Sequence, residues 1–555
     1  MLITRKRVVL VAAAVPLLAA GVVVANQTDG TNARDSGGEA TGSYDRVRTT
    51  SATVDIPSVA GPQRQPNIVV IMADDMREDD LRYMPKTMQT IAARGVHFKN
   101  SFSPFPLCCP ARASFLTGEY THNHKVWSVA DPYGFQALDD SATVPVWLQD
   151  VGYNTVFLGK YLNGYGRQPM PNGSPSRDYV PPGWSDWRGS IDGSGDGGTY
   201  RYFDTTLNIN GEAVGNEGRY QTRLYGDHSV RIVEQYAASQ RPFFLWASYV
   251  APHHGAPNEP GDPKPVLRSD GKLQTFKTPA RPDDVQGTLD DQVRHAPGAE
   301  GEADVSDKPF FIRGLPALSK AEHKALLNIT RQRAEAISAL DDQVARTVRA
   351  LKRTGELDNT IVVVTSDNGY FLGEHRMRQG KSLPYEPSLR VPMLIRGPQI
   401  PRGQVRNDPF LTIDHAPTFL AAAGAPTQDQ LNGSNMLPVA RRGDRGWTRG
   451  VLTDTGPRLV ASNASESDNW LVEGRGPKVT RFSTGVRTAR YLYVDHGGRG
   501  KELYDLRHDP QELQNLAGRS DMAQIQRRLA RVLDRMRDCV GADCTAPLPK
   551  PLQRY

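Results

Sequence analysis

Four apolar runs in this 555-residue chain end in side chains that can do chemistry. "NIVVIMADD" ends in Asp74 and Asp75, and "NTIVVVTSDNG" in Asp367, Asn368 and Gly369. "YNTVFLGKY" carries Lys160, and "PFFLWASYVAPHH" ends in Pro252, His253 and His254. Each run is short and rich in β-branched or aromatic residues, so each reads as a buried strand, Ile68 to Met72 and Ile361 to Thr365 among them. In an open α/β sheet, ligands bind in the crevice beyond the carboxyl ends of the strands. Taken singly these groups are ordinary punctuation, since Asp-Asp after a strand caps turns and Asp-Asn-Gly is a common turn. Taken together, three carboxylates, an amide, a lysine and two histidines at four strand ends point to one shared site. Asp74, Asp75, Asp367 and Asn368 offer only hard oxygen ligands, which suits Ca²⁺ or Mg²⁺ and argues against zinc.

A second feature is "PLCCPARASFLTG", where Cys108 and Cys109 stand side by side. Adjacent cysteines rarely bridge each other, because the ring is strained. Pro110 fits the first turn of a helix, Ala111 to Leu116 continue it, and Thr117-Gly118 end it. Cys108 then lies at a helix N-terminus, a place that favours anions. The same place lowers a thiol's pKa, so a nucleophilic cysteine is one reading. An exposed thiolate is, however, poorly protected in an oxidising compartment. The plain alternative is a pair of buried, unreactive thiols.

The elements that must position these groups are legible in outline. From Asn67 to about Ala423 short apolar runs alternate with helical stretches, as in an α/β domain. Lys320 to Arg353 reads as one long helix. Two polar stretches, Tyr165 to Glu217 and Gly255 to Phe311, read as loops that wall a pocket. After Gly443 a smaller α+β region follows, with a strand at Tyr491 to Val494 and an amphipathic helix over about Asp521 to Arg537. The expected organisation is a leader over 1–25, a Gly/Ser/Thr-rich tether over 26–65, a catalytic domain over 66–442 and a smaller domain over 443–555.

Composition bounds the class. A hydrophobic fraction of 38% with 23% charged residues fits a globular protein and not a membrane bundle. The net charge of +6 favours anionic partners but is too dispersed to imply nucleic acid. Arg5-Lys6-Arg7, the uncharged run Val8 to Ala25 and the small residues Val23-Val24-Ala25 form an export signal. That predicts a secreted or cell-surface protein, membrane-attached only if the segment stays uncleaved. Export also favours a local disulfide between Cys539 and Cys544 in "DCVGADC".

These motifs resemble the sulfatase family. Cys108-x-Pro110-x-Arg112 followed by Leu116-Thr117-Gly118 resembles its signature, with Ala111 where Ser is more usual. "ADD", "GK", "APH" and "SDNG" follow in family order, and "ELYDLRHDPQELQNL" resembles its C-terminal signature. "GKYLNGYG" and "SDNGYFLGEH" are most similar to the N-acetylglucosamine-6-sulfatase and heparan 6-O-endosulfatase branch. The resemblance implies an alkaline-phosphatase-like mixed sheet flanked by helices. It also implies oxidation of Cys108 to formylglycine by a formylglycine-generating enzyme. Asp74, Asp75, Asp367, Asn368 and residue 108 would hold Ca²⁺, with Mg²⁺ as the alternative. One hydroxyl of the hydrated aldehyde would attack the sulfur of a sulfated sugar, helped by Asp367, and the second would later expel sulfate. Arg112 would steady the formylglycine oxygens, Lys160 and Lys381 the sulfuryl oxygens, and His253 would protonate the leaving oxygen. His254 would be a wall residue and Cys109 a packed bystander. His122 and His124 would either line the pocket or be structural, and Asp414 and His415 would stay outside the site. Leu162 stands where many members carry His. A phosphodiesterase or phosphonate monoester hydrolase of the same superfamily, and a non-catalytic sulfated-glycan binder, are the alternative readings.

Overall fold

The computed structural model describes residues 64–130, 132–193, 198–456 and 482–553. The leader, and the tether up to residue 63, lie outside them. Ten strands form the main sheet. In spatial order they are Gln404–Arg406, Val96–Phe98, Met393–Arg396, Thr360–Ser366, Asn67–Ala73, Phe243–Ser248, Asn154–Lys160, Asp186–Ser190, Asp204–Ile209 and Glu212–Glu217. Thr360–Ser366, Asn67–Ala73, Phe243–Ser248, Asn154–Lys160 and Asp186–Ser190 run parallel. Met393–Arg396 and the outer hairpin are antiparallel, so the sheet is mixed.

The parallel strands are buried on both faces, which explains their near-continuous apolar sequence. Ile68, Val70 and Met72 face one core with Phe157, Phe244, Trp246 and the helix residues Cys109, Ala113 and Phe115. Val69, Ile71 and Ala73 face the other, with Ile337, Leu340 and Val344 of the long helix Lys320–Arg353. That helix has the expected bounds because its N-terminus is marked in sequence. The Ser319 side chain accepts from Glu322 N at 3.3 Å, and Glu322 accepts from Ser319 N at 2.7 Å.

Two expectations need correction or refinement. The stretch 165–217 is not simply loop, since it carries three strands, and Asn210-Gly211 turn the outer hairpin at positive φ. The stretch 255–311 does wall a pocket, and it adds a two-stranded hairpin of Val266–Leu267 and Leu273–Gln274. Beyond the main sheet, Val451–Thr455, Ser483–Arg487, Tyr491–Asp495 and Lys501–Asp505 form an antiparallel sheet. The helix Ala523–Met536 packs Leu529, Val532, Leu533 and Met536 onto it. This core also takes Phe102, Tyr120 and Leu389 from the larger part. The division at 443 stays a proposal about how the chain is organised.

Candidate active site

Strand register decides the site. Ala73 pairs with Ser366, Met72 with Ser248, and Gly159 with Ser248, so four parallel strands end at one level. The residues that follow, Asp74, Asp367, Lys160 and the Pro252-His253 turn, meet there. The helix Cys108–Thr117 comes in above them, with all ten of its residues buried and Gly118 closing it at φ 71°. Cys108 is thereby carried to the strand ends. Its Sγ lies 3.3 Å from Asp74 Oδ1 and 2.8 Å from Lys381 Nζ.

Arg112, one turn further on, is fully buried and ties the layers together. Its Nε donates to Asp367 Oδ2 at 2.8 Å, and Nη1 donates to Lys160 O at 2.8 Å and to Ser248 Oγ at 2.5 Å. Lys160 pairs with Asp74, and Lys381 pairs with Asp75. His253 Nε2 is 3.7 Å from Asp75 Oδ2. All of these side chains are buried. A pocket of about 700 Å³ opens over Cys108, Lys381, His253, His254 and Tyr200.

Electrostatics follow from that burial. Burial and then the Asp74 charge push the Cys108 thiol well above its usual range. Desolvation and a carboxylate at 3.3 Å oppose a thiolate here, while Lys381 Nζ at 2.8 Å favours one. Asp74 is itself held well below the carboxylate range: burial opposes this, but the cations Lys160 and Arg112 outweigh it. Asp367 goes the other way, raised to about 6 by burial and by Asp74. Desolvation lowers His253, so its imidazole is neutral. Its Nδ1–H donates to His254 O at 2.7 Å, which leaves Nε2 as a bare lone pair toward Asp75.

The donor set fits a hard cation. Asp75 Oδ2 and Asn368 Oδ1 are buried without a hydrogen-bond partner. Ligand atoms of Asp74, Asp75, Cys108 and His253 lie within 4.8 Å of one another. Asp75 adopts a left-handed φ of 65°, held by its N–H on Asp367 Oδ1 at 3.2 Å and by Arg333 donating to its carbonyl at 2.6 Å. Asp367 stands beside these oxygens, but both of its own already accept hydrogen bonds.

Other residues fall outside. His124 is enclosed between Ser114 Oγ at 3.0 Å and Val126 N at 3.1 Å, and His122 bonds Cys539 O at 2.7 Å. Both are structural, and neither lines the pocket. Asp414 takes Arg449 and the N–H groups of Leu411 and Ser434, and the His415 ring packs among Phe115, Phe410 and Phe419. Cys109 is fully buried in the core, and Cys539 is disulfide-bonded to Cys544. Two residues of the site carry no motif in the sequence. Ser248 donates to Lys160 O at 2.6 Å while accepting from Arg112, and its position at a strand end was the available signal. The Tyr200 ring lies tilted 4.7 Å from the His253 ring and 4.9 Å from Lys160 Nζ, in a loop without a motif.

A family model described as Sulfatase matches residues 66–425, which contain every residue of this site. The chain belongs to the sulfatase family. An extracellular sulfatase SULF-1 homolog of Drosophila melanogaster is 32% identical over 466 residues, 81% of this chain but 36% of the fly protein. The chain thus spans about a third of that relative's length. An arylsulfatase of Volvox carteri is 32% identical over 524 residues, 88% of this chain and 77% of that one. Human N-acetylglucosamine-6-sulfatase is 29% identical over 519 residues, 88% of this chain and 87% of that one. Among solved structures, one of a protein bound to its substrate D-glucosamine-2-N,6-O-disulfate superposes at TM-score 0.62. It covers 85% of this chain and 97% of its own, at 22% identity. A phosphonate monoester hydrolase of Agrobacterium radiobacter superposes at 0.59 with 23% identity. These likenesses establish the sulfatase fold.

Proposed function

We propose that this sulfatase-family protein hydrolyses sulfate monoesters of sugars, of the 6-O-sulfated N-acetylglucosamine class. Formylglycine at position 108 and Ca²⁺ would be its working groups. The observation that carries the reading is the setting of Cys108. It lies at the floor of a pocket, beside Asp74 and Lys381, against buried oxygens that lack partners. The relatives named above support the substrate class. Export rests on the sequence of residues 1–25, and no helix among the described residues is long and apolar enough to cross a membrane.

Asp74, Asp75 and Asn368, with Asp367 beside them, would hold the ion. When present, the ion supplies positive charge beside the sulfuryl oxygens, and the hydrated aldehyde at 108 supplies a hydroxyl nucleophile. The protein's own residues do the rest. Lys160 and Lys381 hold the anionic oxygens where charge grows during transfer. Arg112 fixes Asp367, whose carboxylate would take the proton of the attacking hydroxyl. His253, its Nδ1–H fixed on His254 O, faces the site through Nε2. It must gain a proton there before it can give one to the leaving alcohol. Cys108 is only 2% exposed, so a maturation enzyme must reach it before the fold closes.

Mass spectrometry of the tryptic peptide Asn100–Arg112 from protein made in its native host tests the first half of the proposal. An aldehyde in place of the Cys108 thiol supports it, and an intact thiol in active protein overturns it. Turnover of N-acetylglucosamine 6-sulfate against a matched phosphodiester tests the second half. A preference for the phosphodiester would replace this reading with the phosphohydrolase one.

A further inference from the structure

The hairpin Val266–Leu267/Leu273–Gln274 is unusual on its outer side. Leu267 and Leu273 face each other directly across the two strands, and they are 68% and 67% exposed. Strand alternation explains which side chains point inward: Val266 packs toward the cluster of Phe276, Leu326, Ile329, Tyr370 and Leu372. It does not explain an apolar pair facing water, the position where an antiparallel hairpin normally carries polar residues. The chain on either side of the hairpin lines the Cys108 pocket: Pro263 and Pro265 before it, Thr275, Phe276 and Lys277 after it. Its position is fixed. Gln379, two residues before Lys381, accepts from Lys277 N at 2.9 Å and donates to Lys277 O at 3.2 Å. Residues 262–277 hold four cations, Lys264, Arg268, Lys272 and Lys277, against Asp262 and Asp270. Arg268 is buried on Asp270 at 2.6 Å, while Lys264 and Lys272 are exposed.

We propose that this hairpin is a docking platform for the sugar units of an anionic glycan beyond the one bearing the scissile sulfate. The Leu267/Leu273 pair packs against the apolar C–H face of a pyranose, and Lys264, Lys272 and Lys277 meet its sulfate or carboxylate groups. The chain entering and leaving the hairpin lines the pocket, and its exposed lysines carry the charge opposite to that of such a glycan. The inference rests on the sulfate-ester reading and makes the substrate an oligosaccharide or longer.

The test compares wild type with Leu267→Ser/Leu273→Ser and Lys264→Glu/Lys272→Glu, all surface changes. Each is assayed on a 6-O-sulfated heparan hexasaccharide and on N-acetylglucosamine 6-sulfate. Binding of the de-6-O-sulfated hexasaccharide is measured by calorimetry. Wild type should prefer the hexasaccharide by about tenfold in kcat/KM, and each variant should lose about that factor through KM while the monosaccharide changes less than about twofold. Absence of a length preference, or equal losses on both substrates, overturns the platform. So does a change in oligomeric state of the leucine variant on gel filtration, which would make the pair a contact between copies. If no sulfate ester is cleaved but both variants weaken hexasaccharide binding about tenfold, the hydrolysis reading falls and the platform stands. If esters are cleaved and binding is unchanged, the platform falls alone.

Discussion

Around the guanidinium of Arg112 three elements meet: the helix of Cys108, the strand ending at Lys160 and the strand ending at Ser248. Its partner Asp367 is also fully buried. Removing one member of such a pair leaves an uncompensated buried charge, so Arg112→Met should cost about 3–5 kcal/mol of stability. Urea denaturation measures this, and an unchanged midpoint would mean that the ion pair carries no net structural weight. Lys381 has a different part. It contacts Cys108 Sγ and Asp75 at the place where sulfuryl charge would develop. Lys381→Ala should lower kcat on a sulfate ester by about 10²–10³-fold, the usual effect of losing one preorganised charge-stabilising group. A loss confined to KM would make Lys381 a binding residue only.

At the scale of elements, Gly159 explains why "GK" ends its strand. Its φ is 100°, and an added Cβ would come within 2.1 Å of Ser248 O on the neighbouring strand. Gly159→Ala must therefore push apart the two strands that deliver Lys160 and His253. The expected cost exceeds about 2 kcal/mol, with loss of activity at temperatures where the protein remains folded. Wild-type activity in Gly159→Ala would show that the site tolerates misregistered strand ends. The long helix is held differently, through its N-terminal capping box. Ser319→Ala should cost about 1 kcal/mol, read as a lower urea midpoint, and an unchanged midpoint would mean that the cap carries no net weight.

Across the whole molecule, His375 links distant parts of the chain. It bonds Glu302 of the pocket-wall insertion at 2.8 Å and faces Glu512 near the C-terminal sheet at 3.8 Å. Burial alone would lower its pKa, but the two carboxylates win and raise it to about 9. A histidine raised above its ordinary value stabilises the fold fully below about pH 6.5, and that stabilisation is lost as pH rises through about 9. Glu512, raised to about 7 chiefly by burial, has finished its own titration by then. Wild type should therefore lose stability between about pH 7.5 and 9.5 more steeply than His375→Gln/Glu512→Gln, the double change being needed because His375 also holds Glu512 down. Parallel curves would show that the network does not titrate as a unit. The proposed Ca²⁺ would act at the same scale: at a hundredfold excess over Kd it would add about 2.7 kcal/mol, read as a fall in Tm when chelator is added, and an unchanged Tm would count against the ion.

The sequence by itself determined the chemistry and the local elements of this protein. Strand-end carboxylates, Cys108 before Pro110 and Arg112, the Ser319 cap and the periodicity of Lys320–Arg353 are local patterns, set by propensity and short-range hydrogen bonds. The outer hairpin is the exception: its stretch reads as loop because of its many glycines, although Asn210-Gly211 marks the turn. Tertiary structure alone decided which lone pairs stay open, that Cys108 is buried between Asp74 and Lys381, and that Tyr200 and Ser248 belong to the site. It also decided that His122 and His124 do not belong there. Those outcomes depend on burial and on contacts between residues as far apart in the chain as Arg112 and Asp367. Desolvation and pairing are properties of the assembled site, and no stretch of sequence contains them.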